Sequence, residues 1–97
     1  MHAFLLRGEY REPLEVVDAM RPVHRAWLAT VADAGRLVLA GRTLSQDGSV
    51  VIVLAESLDE AVAISQQDPY VVNGLARYDV VGFEAARWGA TPPVPST

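Results

Sequence analysis

No cysteine occurs in this chain, which excludes a disulfide framework, a thiolate nucleophile and sulfur ligation of zinc or an iron–sulfur cluster. Histidine is nearly as scarce: of the two residues one is His2, and a metal site built mostly of imidazoles is not expected. Glycine-rich phosphate-binding loops are also missing. Basic residues are outnumbered, eight Lys and Arg against twelve Asp and Glu for a formal charge of -4. A phosphate backbone would find no broad attraction here, so nucleic acid is not an expected partner. No apolar run approaches the roughly 20 residues of a membrane span. The opening Met1-His2-Ala3-Phe4-Leu5-Leu6-Arg7 has no basic leader, so neither a signal peptide nor a membrane partner is expected, and the cytoplasm is the expected location. With no cofactor or metal expected, small acid–base chemistry suits the composition better than redox or metal chemistry.

What is present suffices for one core. About half of the 97 residues are hydrophobic, the size and composition of a single ordered domain. Residues 2–8 (HAFLLRG) form an apolar run closed by Gly8 and predict a first strand. Residues 9–18 mix charge with Pro13 and predict a loop with room for a helical turn. Met20, Val23, Trp27, Val31 and Ala34 then recur at spacings of three and four, widened by Leu28, and predict an amphipathic helix over 21–34. Pro22 suits its first turn and Gly35 its left-handed end. Residues 37–41 and 50–55 are β-rich and flank Asp47-Gly48, a turn signal, so an antiparallel hairpin is expected.

Ser57 and Glu60 have the spacing of a capping box for a second helix ending near Gln66 or Gln67. Asp68-Pro69 starts a short helix that stops at Gly74. Tyr78 to Trp88 predicts a long last strand, after which Thr91-Pro92-Pro93-Val94-Pro95 abandons regular structure. The expectation is an α+β fold, ferredoxin-like βαββαβ with an extra short helix, as a single domain over 1–90 with a proline-rich tail over 91–97.

The strands are apolar on both sides. Val51, Val53 and Ala55 alternate with Val50, Ile52 and Leu54, and Val81, Phe83 and Ala85 with Val80, Gly82 and Ala86. A sheet with one solvated face alternates apolar with polar residues. Two helices cover one face only, and at roughly 25 cal/mol per Å² an uncovered apolar face forgoes many kcal/mol. Sheet-to-sheet packing of a homodimer is the expected remedy; cover by the tail and the 9–18 segment is the alternative.

His24 is the first chemical candidate, since it borders the apolar stripe of the helix and an imidazole exchanges protons near neutral pH. A surface histidine with only local contacts is the plainer reading. Asp68 is explained as a helix cap, yet its carboxylate can also orient an imidazole. Arg7, Glu9 and Tyr10 follow the first strand and Arg42 the second. Arg7 or Arg42 suits an anionic oxygen of a substrate, against the commoner role of a solvated charge. Trp27, Tyr70 and Trp88 suit core or interface positions, and Tyr70, two residues after Asp68, is also placed to line the same cavity.

Arg21-x-x-His24, Gly35-x-Leu37-x-x-Ala40-Gly41, the Gly48–Ala55 run, and Asp68-Pro69-Tyr70 followed by Gly74-Leu75 together resemble the YciI-like (YCII-related) family of small dimeric α/β-barrel proteins. The resemblance spans most of the chain. It implies a ferredoxin-like monomer whose sheet packs on a partner's, and a cleft in which His24 and Asp68 form the active pair; Arg7, Tyr10, Arg42 and Tyr70, singled out above from the residues themselves, remain the candidate substrate contacts. The family often has proline after the strand-2 glycine, where this chain has Arg42. One activity in the family is elimination of chloride from a chlorinated hydroxyhydroquinone during aromatic degradation; the wider superfamily includes muconolactone isomerases. A cofactor-independent dehydrochlorinase acting on a small hydroxylated aromatic or quinonoid ring is therefore the implied function. A muconolactone-type isomerase and a non-catalytic small-molecule-binding accessory protein are the alternatives.

Overall fold

The computed structural model describes residues 1–89. The tail over 91–97 and the last residue of the expected domain lie outside the described residues. Its elements are β1 (His2–Tyr10), α1 (Leu14–Asp33), β2 (Leu37–Arg42), β3 (Gly48–Ala55), α2 (Leu58–Gln66), α3 (Pro69–Val72) and β4 (Ala76–Phe83). The four strands form one antiparallel sheet in the order β2-β3-β1-β4. Each half of the chain crosses over one strand of the other, the ferredoxin-like βαββαβ arrangement.

Alternation along the strands decides which side chains meet the helices. Phe4 and Leu6 of β1 and Val51, Val53 and Ala55 of β3 face α1 and α2, where Trp27, Val31 and Ala61 close the core. Fully burying a side chain such as Leu6 contributes about 1.5–3 kcal/mol. A second cluster, Val17, Tyr70, Leu75 and Ala76, joins the start of α1 to α3 and β4.

The 9–18 segment is not a loop. Its first residues complete β1, and α1 begins at Leu14 behind the N-cap Pro13. The reason is Val17, which is fully buried in the second cluster and extends the apolar stripe of the helix by a turn. Pro22 consequently lies inside α1 and not in its first turn, where it cannot donate to the carbonyl of Asp18. The inward stripe also differs from expectation: Val23 is 52% exposed, while His24 takes the buried position between Met20 and Trp27.

Ser57 caps α2 by accepting from the Glu60 N–H at 3.1 Å, but the Glu60 carboxylate pairs with Arg36, so the reciprocal half of the capping box is not the bond it makes. The β2–β3 connection forms the expected hairpin with a different left-handed residue, Gln46 (φ 61°). Gly48 instead opens β3, where a Cβ would stand 1.9 Å from the Gly8 carbonyl oxygen. Gly8, expected to close β1, lies within it, opposite Ser49 on one side and Tyr78 on the other. The last strand ends at Phe83 rather than Trp88, because Phe83 pairs with Ala3 and β1 has almost no residues beyond it to pair with.

The opposite sheet face carries Ala3, Leu5, Ile52, Leu54, Val81 and Phe83, in strand register with the core-facing set. Leu39, Val81 and Phe83 there are 56%, 52% and 42% exposed. Residues 84–88 pass beside this face, where Trp88 shares a hollow with Ala3, Val38 and Ile52. No helix among the described residues is long and apolar enough to cross a membrane.

The close approach at Gly48 gives a direct test. Gly48→Ala should lower the unfolding free energy by about 3 kcal/mol, since backbone and not a flexible side chain opposes the new methyl. Gly41→Ala, which meets nothing within 4 Å, should stay within about 1 kcal/mol of the parent. Urea unfolding followed by circular dichroism compares the two.

Candidate active site

Helical spacing places Arg21, His24, Arg25 and Leu28 on one side of α1. All four line a cavity of about 160 Å³, whose other walls come from Tyr10, Ala40, Gly41, Arg42, Ser49, Val51 and Tyr70. A cavity of about 150 Å³ holds benzene. This one is therefore of the size of a single six-membered ring.

At its inner wall His24 Nδ1 lies 2.8 Å from Asp68 Oδ1. The same oxygen accepts the Tyr70 backbone N–H at 3.0 Å, the cap of α3, and Oδ2 accepts the Tyr78 hydroxyl at 2.7 Å. Asp68 is 0% and His24 7% exposed. With an N–H and an O–H already aimed at it, Asp68 acts as an acceptor, and the network assigns the imidazole proton to Nδ1. Nε2 is then left as the acceptor of a ring that lines the cavity. The imidazole is also fixed by stacking: its centroid is 4.0 Å from that of Tyr70, with the planes 7° apart. Tyr10 meets the Tyr70 ring edge-on at 6.0 Å.

Arg42 reaches the cavity from the end of β2. Its Nε donates to the Tyr10 hydroxyl at 3.0 Å, its guanidinium stands 5.4 Å from the Tyr10 ring centroid, and it pairs with Asp18 of α1. The hydrogen bond that Arg42 donates to Asp18 holds Arg42 above its ordinary range, and the same bond lowers Asp18. Burial raises the Tyr70 phenol. Tyr78 is raised further, first by burial and then by the Asp68 charge.

His24, Asp68, Tyr10, Arg42 and Tyr70 are thus brought together. Arg7 is not. It alternates with Leu6 and Gly8 along β1, so it lies on the opposite sheet face, where it meets the Gly8 carbonyl at 2.7 Å and Asp47 at 3.9 Å. Sequence reasoning missed Tyr78, Ser49, Arg25 and the role of Gly8. A Cβ on Gly8 would lie 2.7 Å from Ser49 Oγ and 2.8 Å from the Tyr78 ring; the bare glycine lets both side chains bend over β1 toward Asp68 and the cavity. A glycine inside a strand pattern was the available signal.

Fold and site together define a ferredoxin-like α+β domain with a buried histidine–carboxylate pair behind a cavity of single-ring size. The YCII-related domain matches residues 1–84, and the chain belongs to that family. It is 38% identical over 74 residues to Protein YciI of Escherichia coli O6:H1 (strain CFT073), an alignment covering 66% of this chain and 76% of the relative. Protein YciI of Shigella flexneri matches to the same extent. Among solved structures it is similar to the 5-chloro-2-hydroxyhydroquinone dehydrochlorinase TftG of Burkholderia phenoliruptrix AC1100 in complex with 2,5-dihydroxybenzoquinone. That similarity has a TM-score of 0.68 at 26% identity, over 94% of this chain and 96% of that one.

The Tyr78–Asp68 contact predicts an alkaline signature. The folded chain keeps Tyr78 protonated at a pH where the unfolded chain ionises it. The resulting stability is fully present below about pH 10 and is lost above it, at up to about 1.4 kcal/mol per pH unit. Tyr78→Phe should cost about 1 kcal/mol at neutral pH and should show a shallower loss than the parent between about pH 10 and 11. Urea unfolding across that range measures both.

Proposed function

We propose that this chain is a cofactor-independent enzyme that performs acid–base chemistry on a small hydroxylated ring, with chloride elimination from a chlorinated hydroxyhydroquinone as its reaction. The observation that carries this reading is the buried His24–Asp68 pair behind a cavity of single-ring size. In it, Nε2 of His24 takes the proton of a ring hydroxyl and delivers it to the chlorine-bearing carbon. Loss of a second hydroxyl proton then drives out chloride with the C–Cl electron pair. The ring becomes a hydroxyquinone and the sum is loss of HCl, so no outside oxidant is required. Asp68 is positioned to stabilise the imidazolium formed between the two transfers. Tyr70, stacked on His24, and Tyr10 give the ring an aromatic wall, and Arg42 supplies positive field for the departing chloride. The quinonoid ligand of the similar dehydrochlorinase supports a substrate of this shape.

Chloride release from chlorinated hydroxyhydroquinones by the purified protein tests the reading. His24→Ala and Asp68→Asn should each lower kcat/KM by about a hundredfold or more with circular dichroism unchanged. Unchanged turnover in both variants, or no chloride release from any such ring, overturns it.

The proposal includes a homodimer formed through the open sheet face, since Leu39, Val81 and Phe83 are exposed on it and a twofold stack would cover both copies at once. Sedimentation at micromolar concentration should give twice the 10.5 kDa chain mass, and Phe83→Glu should shift it toward the monomer. A 10.5 kDa species for the parent chain contradicts the dimer.

A further inference from the structure

We propose that the ring bound in this cavity carries a carboxylate, held at the cavity mouth by Arg21 and Arg25. The inference rests on the single-ring reading of the same cavity and adds a substrate class to it. Three of the eight basic residues of a chain with net charge -4, Arg21, Arg25 and Arg42, line this one cavity. Arg42 is committed to Asp18. Arg21 and Arg25 have no carboxylate within 4.0 Å among the described residues. Arg21 lies one helical turn from Asp18 and shares its field, yet neither guanidinium at the mouth makes an ion pair among the described residues, and two such groups are more than a neutral hydroxylated ring or one departing chloride calls for.

The depths of the lining groups orient the ligand. His24 and Ser49 are 7% and 6% exposed, and Ser49 Oγ is enclosed without a hydrogen bond of good geometry. These groups at the inner end match ring hydroxyls. Arg25 is exposed and Arg21 half-buried, so the guanidiniums match a charge on the far side of the ring, where a carboxylate accepts two parallel N–H bonds. A ring lying along Tyr70 then presents its hydroxyls to His24 at the inner end and its carboxylate to Arg21 and Arg25 at the mouth.

Equilibrium titration by calorimetry with 2,5-dihydroxybenzoate and with hydroquinone, which differ by the carboxylate, tests this without requiring turnover. The benzoate should bind about tenfold or more tightly than hydroquinone, a difference of about 1.4 kcal/mol. Raising the salt should weaken the benzoate more than hydroquinone, and Arg21→Gln/Arg25→Gln should abolish the preference. Affinities within about twofold of each other, no benzoate binding up to about 10 mM, or a preference that survives the double variant overturns the inference. An equal or greater affinity for 2,5-dihydroxybenzoquinone, whose acidity resides in ring oxygens, overturns the carboxylate assignment as well. Because the readout is binding, a failed chloride-release assay leaves this inference standing, and its own failure leaves the elimination chemistry standing.

Discussion

The arrangement depends on burying one carboxylate. Asp68 has no solvent exposure, and a buried carboxylate without partners is several kcal/mol out of balance. Its partners come from three separate elements: the imidazole of His24 on α1, the backbone N–H of Tyr70 at the start of α3, and the hydroxyl of Tyr78 on β4. Satisfying Asp68 therefore fixes where the middle of α1 sits against the last strand, and gives a four-residue helix a reason to exist at that place. The cap, the imidazole orientation and the packing of α3 are one constraint expressed three times.

A histidine held in this way is prepared for proton exchange before any ligand arrives. Asp68 settles which nitrogen carries the proton, Tyr70 fixes the plane of the ring, and the cavity confines what can reach the other nitrogen. The polar groups on the opposite wall are less preorganised: Arg42 is shared between Tyr10 and Asp18, and must trade part of that network for any contact with a bound anion. In the proposed reaction Arg42 would thus supply field more readily than a direct clamp, the part proposed for Arg21 and Arg25.

Most of the fold was legible because its signals are local. The strand–helix order, the Ser57 and Asp68 caps, the left-handed Gly35 and the helix stop at Gly74 each depend on a few consecutive residues. The misreadings arose where a distant partner overrides a local preference. Pro13 and Pro22 suggested a loop followed by a helix start, but Val17 is buried against Tyr70, Leu75 and Ala76, and that burial extends α1 through Pro22. Val23 matched the apolar spacing as well as His24 did; what draws His24 inward is Asp68, 44 residues away. Asp47-Gly48 suggested the turn itself, whereas Gly48 is required by contact with Gly8 across the sheet.

The placement of Arg7 shows how much rests on one register. Phe4, Leu6, Gly8 and Tyr10 point toward the helices, so Arg7 and Glu9 must point away. A slip of one residue would exchange the two sets, putting Arg7 and Glu9 in the cavity and Phe4 and Leu6 on the open face. Two glycine contacts oppose that slip. Gly48 lies where its partner strand leaves no space for a Cβ, and Gly8 lies where Ser49 and Tyr78 close over the strand. Neither glycine touches the imidazole, yet they set which face of β1 the site is built on. The hydroxyl of Tyr78 reaches Asp68 only because Gly8, its partner across the β1–β4 ladder, has no side chain in its path. The shape of the His24–Asp68 pair is therefore decided in the sheet beneath it as much as by the two residues that form it.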